Sequence, residues 1–310
     1  MSSLVQLSDI QPLAVDWLWK PYLPKGMLSL LSGDPGGGKT YLSLAIAADL
    51  SNGRIPGTLE ACAPVNTLYL SQENSAAHVI RPRFDLLGGD GRRLYLLQEE
   101  SITLDDVSSI GDAIDETQAG LVIVDPIQSY LGASVDAHRS NETRPILDGL
   151  ILLAEHYSCS FLLVRHLSKG IGGRAIHRGL GSIDFTAAAR SELIAGSPID
   201  DPERRVLAHI KSNVGPYGES LGYAIDEKGF LWTGKSDLTA ADLISAEPSA
   251  ASGIEGATDY LKIALAQGPR PQREIINGGL FGERMLQRAA RKLGVKKTRK
   301  PERGQYMWSL

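Results

Sequence analysis

The residues with the clearest capacity for chemistry lie between Gly33 and Thr40, where the chain reads Gly-Asp-Pro-Gly-Gly-Gly-Lys-Thr. This spacing fits the phosphate-binding pattern of a glycine, any four residues, a second glycine, lysine, and then serine or threonine. The glycines allow backbone N–H groups to close around phosphate, because a Cβ atom would block that approach. We therefore expect Lys39 to bind the β- and γ-phosphates as a point charge and Thr40 to ligate Mg²⁺.

The residues on either side of this loop provide the structural context that the motif requires. Gly26–Ser32 is an apolar run typical of a buried strand, and Tyr41–Leu50 has helical spacing that stops at Asn52-Gly53. A strand, a glycine-rich turn and a helix N-terminus together favour phosphate binding over the alternative, a turn that binds nothing. ATP and Mg²⁺ are the expected cofactors, and the predicted binding residues are Gly33, Asp34, Pro35, Gly36, Gly37, Gly38, Lys39, Thr40 and Tyr41.

Three further polar residues follow apolar runs that are predicted to be strands. Asp125 closes the run Gly120–Val124, and in this position it is the natural acid to hold Mg²⁺ directly or through water. Glu73 and His166 each end a predicted strand, so a parallel sheet would bring them to the edge that carries the phosphate loop. Taken alone, Glu73 is also compatible with an ordinary surface acid, and His166 with a histidine that is satisfied in the core.

Two basic regions are candidate contacts with DNA. The segment 169–182 contains five glycines and no acid, and its cations are Lys169, Arg174 and Arg178. Residues 251–310 carry 12 Lys and Arg against 5 Asp and Glu, so a net +7 lies in this tail although the whole chain has a formal charge of −4. A helix predicted at Gly282–Leu293 would turn its apolar residues inward and expose Arg284, Arg288, Arg291 and Lys292. The alternatives are a plain glycine-rich connection and a basic face on a small oligomerisation module.

The order of predicted elements indicates an α/β fold. Strands and helices alternate as far as His166, with one helix predicted from about Pro145 to Tyr157, and this alternation predicts a mostly parallel sheet. The strands predicted at Arg190–Ala195, Arg205–Ser212 and Ser220–Asp226 favour an antiparallel extension. We predict a lead-in at residues 1–25, an ATPase domain at 26–235, a linker at 236–256 and a small domain at 257–310 that resembles a winged helix-turn-helix. Neither a long apolar run nor a signal peptide is evident, so we expect a cytoplasmic protein without membrane association. The two cysteines, Cys62 and Cys159, suggest neither a disulfide framework nor a metal site.

The motifs taken together resemble those of RecA-fold ATPases. Besides the phosphate loop, the resemblance rests on Ser71–Glu73, Val122–Asp125, Val164–Lys169, Ala189–Ser191 and His209–Asn213. It covers roughly Trp17 to Gly234, and it is strongest to the RepA-type hexameric replicative helicases of plasmids and phages, which are cousins of DnaB and RecA.

This resemblance implies a role for each candidate residue. It makes Glu73 the catalytic carboxylate, Asp125 the Walker B acid and His166 a sensor of the γ-phosphate. It places Arg190 and Lys211 where such proteins position cations that reach the nucleotide of an adjacent subunit. Lys211-Ser212-Asn213 departs from the Lys-x-Arg that DnaB-like proteins often carry, so either Arg190 or Lys211 is the candidate trans finger.

The function implied is an ATP-dependent DNA motor, most closely a replicative helicase of a mobile element or phage. The expected partners are single-stranded DNA in the channel of a homohexamer, duplex or single-stranded DNA on the C-terminal domain, and a primase or initiator. Alternatives are an ATP-switched replication or helicase-loading factor, or a RecA-like recombination factor that does not separate strands. A small-molecule kinase would leave the basic tail unexplained.

Overall fold

The chain divides into two compact units. The computed structural model describes residues 4–98, 102–132, 135–137, 139–167, 183–198, 201–227, 229–244, 250–266, 268–277, 281, 283–299 and 306–309. Unit 1 comprises Met1–Ser197 and Glu203–Ile244, and unit 2 comprises Pro198–Pro202 and Ser245–Leu310. Within these described ranges, no helix is both long enough and apolar enough to cross a membrane.

A nine-stranded sheet, counted over the described residues, forms the centre of unit 1. A short antiparallel pair, β1 (Trp17–Trp19) and β2 (Leu23–Pro24), precedes it. The parallel strands are β3 (Leu28–Gly33), β4 (Asn66–Leu70), β5 (Leu94–Leu96), β6 (Ala119–Val124), β7 (Ser160–His166) and β8 (Ser191–Gly196). The antiparallel strands are β9 (Arg205–Ser212), β10 (Ser220–Asp226) and β11 (Gly229–Ser236). The order β11-β10-β9-β8-β3-β7-β6-β4-β5 confirms the predicted mostly parallel sheet with an antiparallel extension.

Helices cover the sheet on both faces, as a parallel sheet requires. They are α1 (Lys39–Ser51), α2 (Arg81–Leu86), α3 (Val107–Thr117), α4 (Ser140–Tyr157), α5 (Ile183–Ala188) and α6 (Ala240–Ile244). One turn of π-helix at Ala76–Ile80 leads into α2, and one turn of 3₁₀-helix at Ile127–Tyr130 follows β6.

Alternate residues of β3 point to opposite faces of the sheet and so enter different apolar clusters. Leu28 and Leu30 pack with Leu147 of α4 and Phe185 of α5. Leu31 packs with residues of α1 on the other face, among them Leu42 and Leu44. The strand that ends in the phosphate loop is therefore buried on both sides.

Unit 2 combines helices with a three-stranded antiparallel sheet. Its elements are α7 (Ala250–Leu265), β12 (Arg270–Pro271), α8 (Gln272–Asn277), α9 (Glu283–Leu293), β13 (Lys296–Arg299) and β14 (Tyr306–Ser309). The strand order is β12-β14-β13. Leu261, Ile275, Leu286 and Trp308 belong to its apolar core. Arg288, Arg291 and Lys292 of α9 are exposed, while the side chain of Arg284 lies outside the described residues.

Several elements differ from their predicted extents. The predicted linker 236–256 contains α6 and the first turns of α7, because its alanines favour helix. Helix α4 begins at Ser140 and includes Pro145, whereas the sequence predicted a start at the proline. Pro145 is the sixth residue of α4, beyond the first four N–H groups that have no partner within the helix, so it removes one hydrogen bond, which the packing of α4 on the sheet offsets. The sequence did not predict α5 and β11.

Candidate nucleotide site

The phosphate loop adopts a conformation that depends on its glycines. Gly36 and Gly38 have φ values of 79° and 81°, in the left-handed region that side chains rarely occupy. A Cβ atom on Gly33 would lie 2.3 Å from the carbonyl oxygen of Ala195, and one on Gly38 would lie 2.4 Å from Cδ1 of Ile225. Substitution at Gly33 would therefore displace the backbone of β8. At Gly38 the Ile225 side chain could move, and the cost of substitution comes from the positive φ.

Helix α1 begins directly after this loop, so its unpaired N–H groups face the loop concavity. A helix N-terminus of this kind binds phosphate through those N–H groups and through its partial positive charge. The Tyr223 hydroxyl donates to the carbonyl oxygen of Gly37 at 3.0 Å and fixes the loop from β10. Tyr41, one residue past Thr40, stacks on Phe230 of β11.

Lys39 is buried beneath the loop. Its ammonium donates to the carbonyl oxygens of Gly33 at 2.9 Å and Asp34 at 2.8 Å. Burial lowers the pKa of Lys39, and the charges of Asp125, Asp34 and Glu73 oppose that shift. These three carboxylates therefore lie close enough to favour the charged ammonium that binding to phosphate requires.

Asp125 is 4% exposed and follows the last residue of β6. The Tyr69 hydroxyl donates to Asp125 Oδ2 at 2.8 Å, and the Thr40 hydroxyl is also hydrogen-bonded to this carboxylate. Burial raises the pKa of Asp125, while the hydrogen bonds from Thr40 and Tyr69 and the charge of Lys39 oppose that shift. A carboxylate beside a threonine hydroxyl is the donor pair that holds Mg²⁺ in nucleotide sites of this type.

Glu73 lies just beyond the end of β4 and is exposed. The Ser129 hydroxyl, in the 3₁₀ turn after Asp125, donates to Glu73 Oε1 at 2.9 Å. The charge of Glu73 influences the pKa of Lys39, Asp125 and His166, which places its carboxylate in the same group. Its position is suitable for orienting water at the outer side of a bound phosphate chain.

His166 is the last residue of β7. In the sheet register it is aligned with Gly33, the last residue of β3. Its Nδ1 lies 3.1 Å from Nζ of Lys39. Burial, followed by the charge of Lys39, lowers the pKa of His166, so the ring is favoured in its neutral form. Because an ammonium can only donate, Nδ1 accepts in this contact and Nε2 carries the ring proton.

The sheet register explains why these side chains meet. Gly33 is aligned with His166, and Leu70 is aligned with Val124. The residues that follow these parallel strands therefore emerge at one edge of the sheet, as ligand-binding residues do in open α/β sheets. Lys39, Asp125, Glu73 and His166 gather at that edge.

Arg190 lies at the other end of these strands. Its backbone N–H donates to the carbonyl oxygen of Leu28, the first residue of β3, at 2.8 Å. Five residue steps separate Leu28 from Gly33, which corresponds to about 17 Å along the strand. The Arg190 side chain is exposed, and its backbone lies at the far end of β3 from its own phosphate loop.

Lys211 is occupied within its own chain. Its ammonium donates to the carbonyl oxygens of Thr186 and Ala189 at the C-terminal end of α5. Burial lowers the pKa of Lys211, and Glu192 opposes that shift. These contacts favour Arg190 over Lys211 as the candidate for a contact in trans. The predicted DNA contacts Lys169, Arg174 and Arg178 lie outside the described residues.

Two site residues were missed at the sequence level, and both contribute a hydroxyl. Tyr69 lies in an apolar strand, where an aromatic residue indicates core packing rather than a hydrogen bond to an acid. Ser129 lies in a short turn with no recognisable pattern. The sequence signal that could have identified Ser129 is its position four residues after Asp125, the predicted Mg²⁺ ligand.

Comparison with protein families matches residues 1–171 to a family described as an AAA domain. The chain belongs to the AAA domain family. Together with the sheet order and the phosphate loop, this match makes it a RecA-like P-loop ATPase. The family implies the use of ATP and Mg²⁺, and the residues present fit both, with a glycine cradle, a buried lysine and a carboxylate beside a threonine.

Curated proteins similar to this chain include several described as DNA repair protein RadA. The Bacillus subtilis protein is 25% identical over 252 residues, which are 80% of this chain and 47% of that protein. The Streptococcus pneumoniae protein is 28% identical over 251 residues, 79% of this chain and 51% of that protein. The Mycobacterium tuberculosis H37Rv protein is 32% identical over 149 residues, 46% of this chain and 28% of that protein. The chain thus spans about half of these relatives, or less.

Proposed function

We propose that this ATPase hydrolyses Mg²⁺-ATP to act on DNA, with Glu73 as the catalytic carboxylate. The observation that carries the proposal is the meeting of Lys39, Asp125, Glu73 and His166 at one sheet edge beside the N-terminus of α1. Lys39 and the loop N–H groups hold the phosphates, and Thr40 and Asp125 hold Mg²⁺. When bound, the metal would neutralise part of the negative charge of the phosphates.

Glu73 acts on the water. Its carboxylate is exposed at the outer side of the site, so it can accept a proton from, or orient, a water molecule that approaches the terminal phosphate. His166 detects whether that phosphate is present, because a neutral ring with its proton on Nε2 can donate to a phosphate oxygen. Arg190 completes the site of a neighbouring subunit in a ring or filament, since it lies at the far end of the strands from its own loop.

DNA is the proposed substrate for two reasons. The relatives in the comparison carry the name DNA repair protein RadA. In addition, unit 2 has helices followed by the hairpin β13–β14, as a winged helix does, and it exposes Arg288, Arg291 and Lys292 on α9. The ammonium of Lys297 on β13 lies 4.2 Å from the ring centroid of Tyr306, which adds a cation and an aromatic ring to the hairpin.

Within this proposal, two kinds of DNA motor differ in what they do to the strands. A replicative helicase as a hexamer with a primase or initiator partner is the motor that the sequence motifs resemble. A recombination or repair factor that handles strands without separating them is the other kind. The relatives' name, DNA repair protein RadA, supports a role in repair and is compatible with both kinds.

Steady-state ATP turnover with and without single-stranded DNA, combined with the mass in solution, tests the proposal. We expect turnover to rise with DNA and to depend on assembly. Unwinding of a forked duplex would favour the helicase, whereas strand pairing without unwinding would favour the recombination factor. An ATP turnover rate that is the same without DNA, with single-stranded DNA and with duplex DNA would refute DNA as the substrate.

A further inference from the structure

Arg165 and Glu192 form an ion pair in the interior of unit 1. Arg165 is 1% exposed and Glu192 is 0% exposed. Nη2 of Arg165 donates to Oε1 of Glu192 at 2.5 Å. Because β7 and β8 flank β3 on its two sides, this pair bridges the strand that ends in the phosphate loop.

Two hydroxyl groups extend the pair to further elements. Arg165 Nε donates to the Ser32 hydroxyl at 2.9 Å, and that hydroxyl donates to Glu192 Oε1 at 2.9 Å. Arg165 Nη2 also donates to Oγ1 of Thr186 at 2.9 Å. We call Ser32, Arg165, Thr186 and Glu192 the buried quartet. It joins β3, β7, β8 and α5 in one hydrogen-bond network.

The members of the buried quartet are neighbours in sequence of the proposed functional residues. Ser32 precedes Gly33 of the phosphate loop, and Arg165 precedes His166. Glu192 lies two residues after Arg190. Thr186 belongs to α5, the helix whose C-terminal carbonyl oxygens accept from Lys211. One end of the network thus meets the nucleotide site, and the other meets α5 and the start of β8.

Stability does not explain the buried quartet. Apolar residues of similar volume generally serve a protein interior as well as a buried ion pair, because desolvation of the charges offsets their attraction. In addition, Glu192 Oε2 accepts no hydrogen bond from any described residue. A buried carboxylate with an unsatisfied oxygen lowers the stability of the fold, so the buried quartet needs an explanation other than stability.

We propose that Arg165, Glu192 and Thr186 are positioning residues that join the nucleotide site to α5, so that nucleotide on the phosphate loop changes the position of α5 and of Arg190. The inference rests on the proposed function only in that the loop binds nucleotide. The link runs from the loop through Ser32 and through the strand end at His166 to Arg165, and then through one hydroxyl to α5. Thr186 is therefore the point at which the link can be cut without removing the ion pair.

Thr186→Val is the decisive variant, because it removes the hydroxyl and preserves the side-chain shape. Thr186→Ser restores the hydroxyl and serves as the matched control. Hydrogen exchange of the peptide 183–190 is followed with and without a slowly hydrolysed ATP analogue, since amide exchange reports local opening. We expect the nucleotide-dependent change in exchange to be present in the parent and in Thr186→Ser, and to be lost in Thr186→Val.

Kinetics separate positioning from a general loss of structure. We expect Thr186→Val to bind the analogue within about twofold of the parent and to lower kcat for ATP while KM is kept, as removal of an interaction outside ground-state binding does. Thr186→Ser should recover kcat. A parallel fall in analogue affinity, or failure of serine to rescue, would overturn the positioning role.

The double variant Arg165→Met with Glu192→Leu tests the same link independently of the Thr186 variants. It replaces the ion pair with apolar residues, and we expect it to bind the analogue and to lose the exchange response of α5. An unchanged response in this variant or in Thr186→Val overturns the inference, as does a parent that binds the analogue without any change in α5. A parent that does not bind the analogue refutes the proposed function itself, and the inference with it.

Discussion

Glu73 differs from Lys39 and Asp125 in its exposure. Lys39 and Asp125 are buried and held by several hydrogen bonds, whereas the Glu73 carboxylate is exposed and receives a hydrogen bond from Ser129. A group that binds phosphate or metal has to be fixed in place before the ligand arrives. A group that handles water has to face the solvent from which the water comes, and the position of Glu73 meets that requirement.

Glu73→Gln should therefore stop hydrolysis and leave nucleotide binding intact. The amide keeps the shape of the side chain and loses the charge that activates water, so turnover should fall by about 10²–10⁴-fold. Single-turnover hydrolysis and equilibrium binding of a fluorescent ATP analogue measure the two effects separately.

Glu60→Gln is the control for Glu73→Gln, because Glu60 is also exposed but belongs to another loop. It should leave turnover at the parent rate. If Glu73→Gln hydrolyses ATP as fast as Glu60→Gln, the carboxylate does not activate the water, and another group has to be sought around the terminal phosphate.

At the residue scale, the sequence predicted the groups whose chemistry follows a fixed spacing. Lys39 and Thr40 follow from the loop pattern, and Asp125 follows from an acid that closes an apolar strand. Arg165 could not be predicted in the same way. A single cation in the apolar run Ser160–His166 indicates a buried charge, but its partner, Glu192, lies on a strand that only the fold brings near.

At the scale of the elements, the contribution of the Arg165–Glu192 ion pair between β7 and β8 to stability can be tested. Glu192→Leu alone should destabilise unit 1 by about 3–5 kcal/mol, because it leaves the Arg165 guanidinium buried without its counter-charge. The double variant Arg165→Met with Glu192→Leu should recover most of that loss. Urea unfolding followed by circular dichroism gives the free energies of unfolding.

Arg144 and Asp148 on α4 form an exposed pair that provides the comparison. Replacing both with Met and Leu should change the free energy of unfolding by less than about 1 kcal/mol, because solvent screens an exposed pair. A double variant of the buried pair that is as unstable as Glu192→Leu alone would contradict this account of the interior.

At the element scale, the strands were predicted better than the short helices. The ranges Arg205–Ser212 and Ser220–Asp226 are identical to β9 and β10, because apolar residues and turn residues delimit them clearly. Helix α5 has six residues, too few to show a helical period, and its place is set by the hydrogen bonds from Arg165 and Lys211. Strand β11 is an edge strand whose exposed residues hide the alternation.

For the assembled molecule, the position of Arg190 predicts a site shared between subunits. Arg190→Ala and Glu73→Gln should each abolish turnover when alone. A mixture should regain part of the activity, because some interfaces then pair an intact Glu73 with an intact Arg190. Turnover is measured as a function of the mixing ratio, with native mass spectrometry to show that mixed assemblies form. Mixed assemblies that stay inactive would exclude Arg190 as a residue that acts in trans.

The basic face of unit 2 should determine how strongly DNA binding depends on salt. Replacing Arg288, Arg291 and Lys292 with Gln in the full chain should weaken binding and flatten the log–log salt slope. Each lost phosphate contact should contribute about 0.9 on duplex or about 0.7 on single strands. Binding isotherms at several salt concentrations give the slope.

Lys262, Arg270 and Arg273 are three exposed cations on other elements of unit 2, so replacing all three with Gln removes the same net charge and serves as the control. This control should reduce the slope less than the α9 variants do. Equal slopes for the α9 variants and the parent chain would mean that α9 serves a protein partner instead of DNA.

The family match ends at residue 171, but the support of the phosphate loop lies beyond it. Ala195 backs Gly33, Tyr223 holds Gly37, and Ile225 packs against Gly38. A fragment that ended at residue 171 would lack β8. The strand that carries the loop, β3, would then be an edge strand with one side unpaired. The region that the family model matches is thus smaller than the region that supports the phosphate loop. A minimal nucleotide-binding fragment has to extend at least through Asp226, the end of β10, because this strand carries Tyr223 and Ile225.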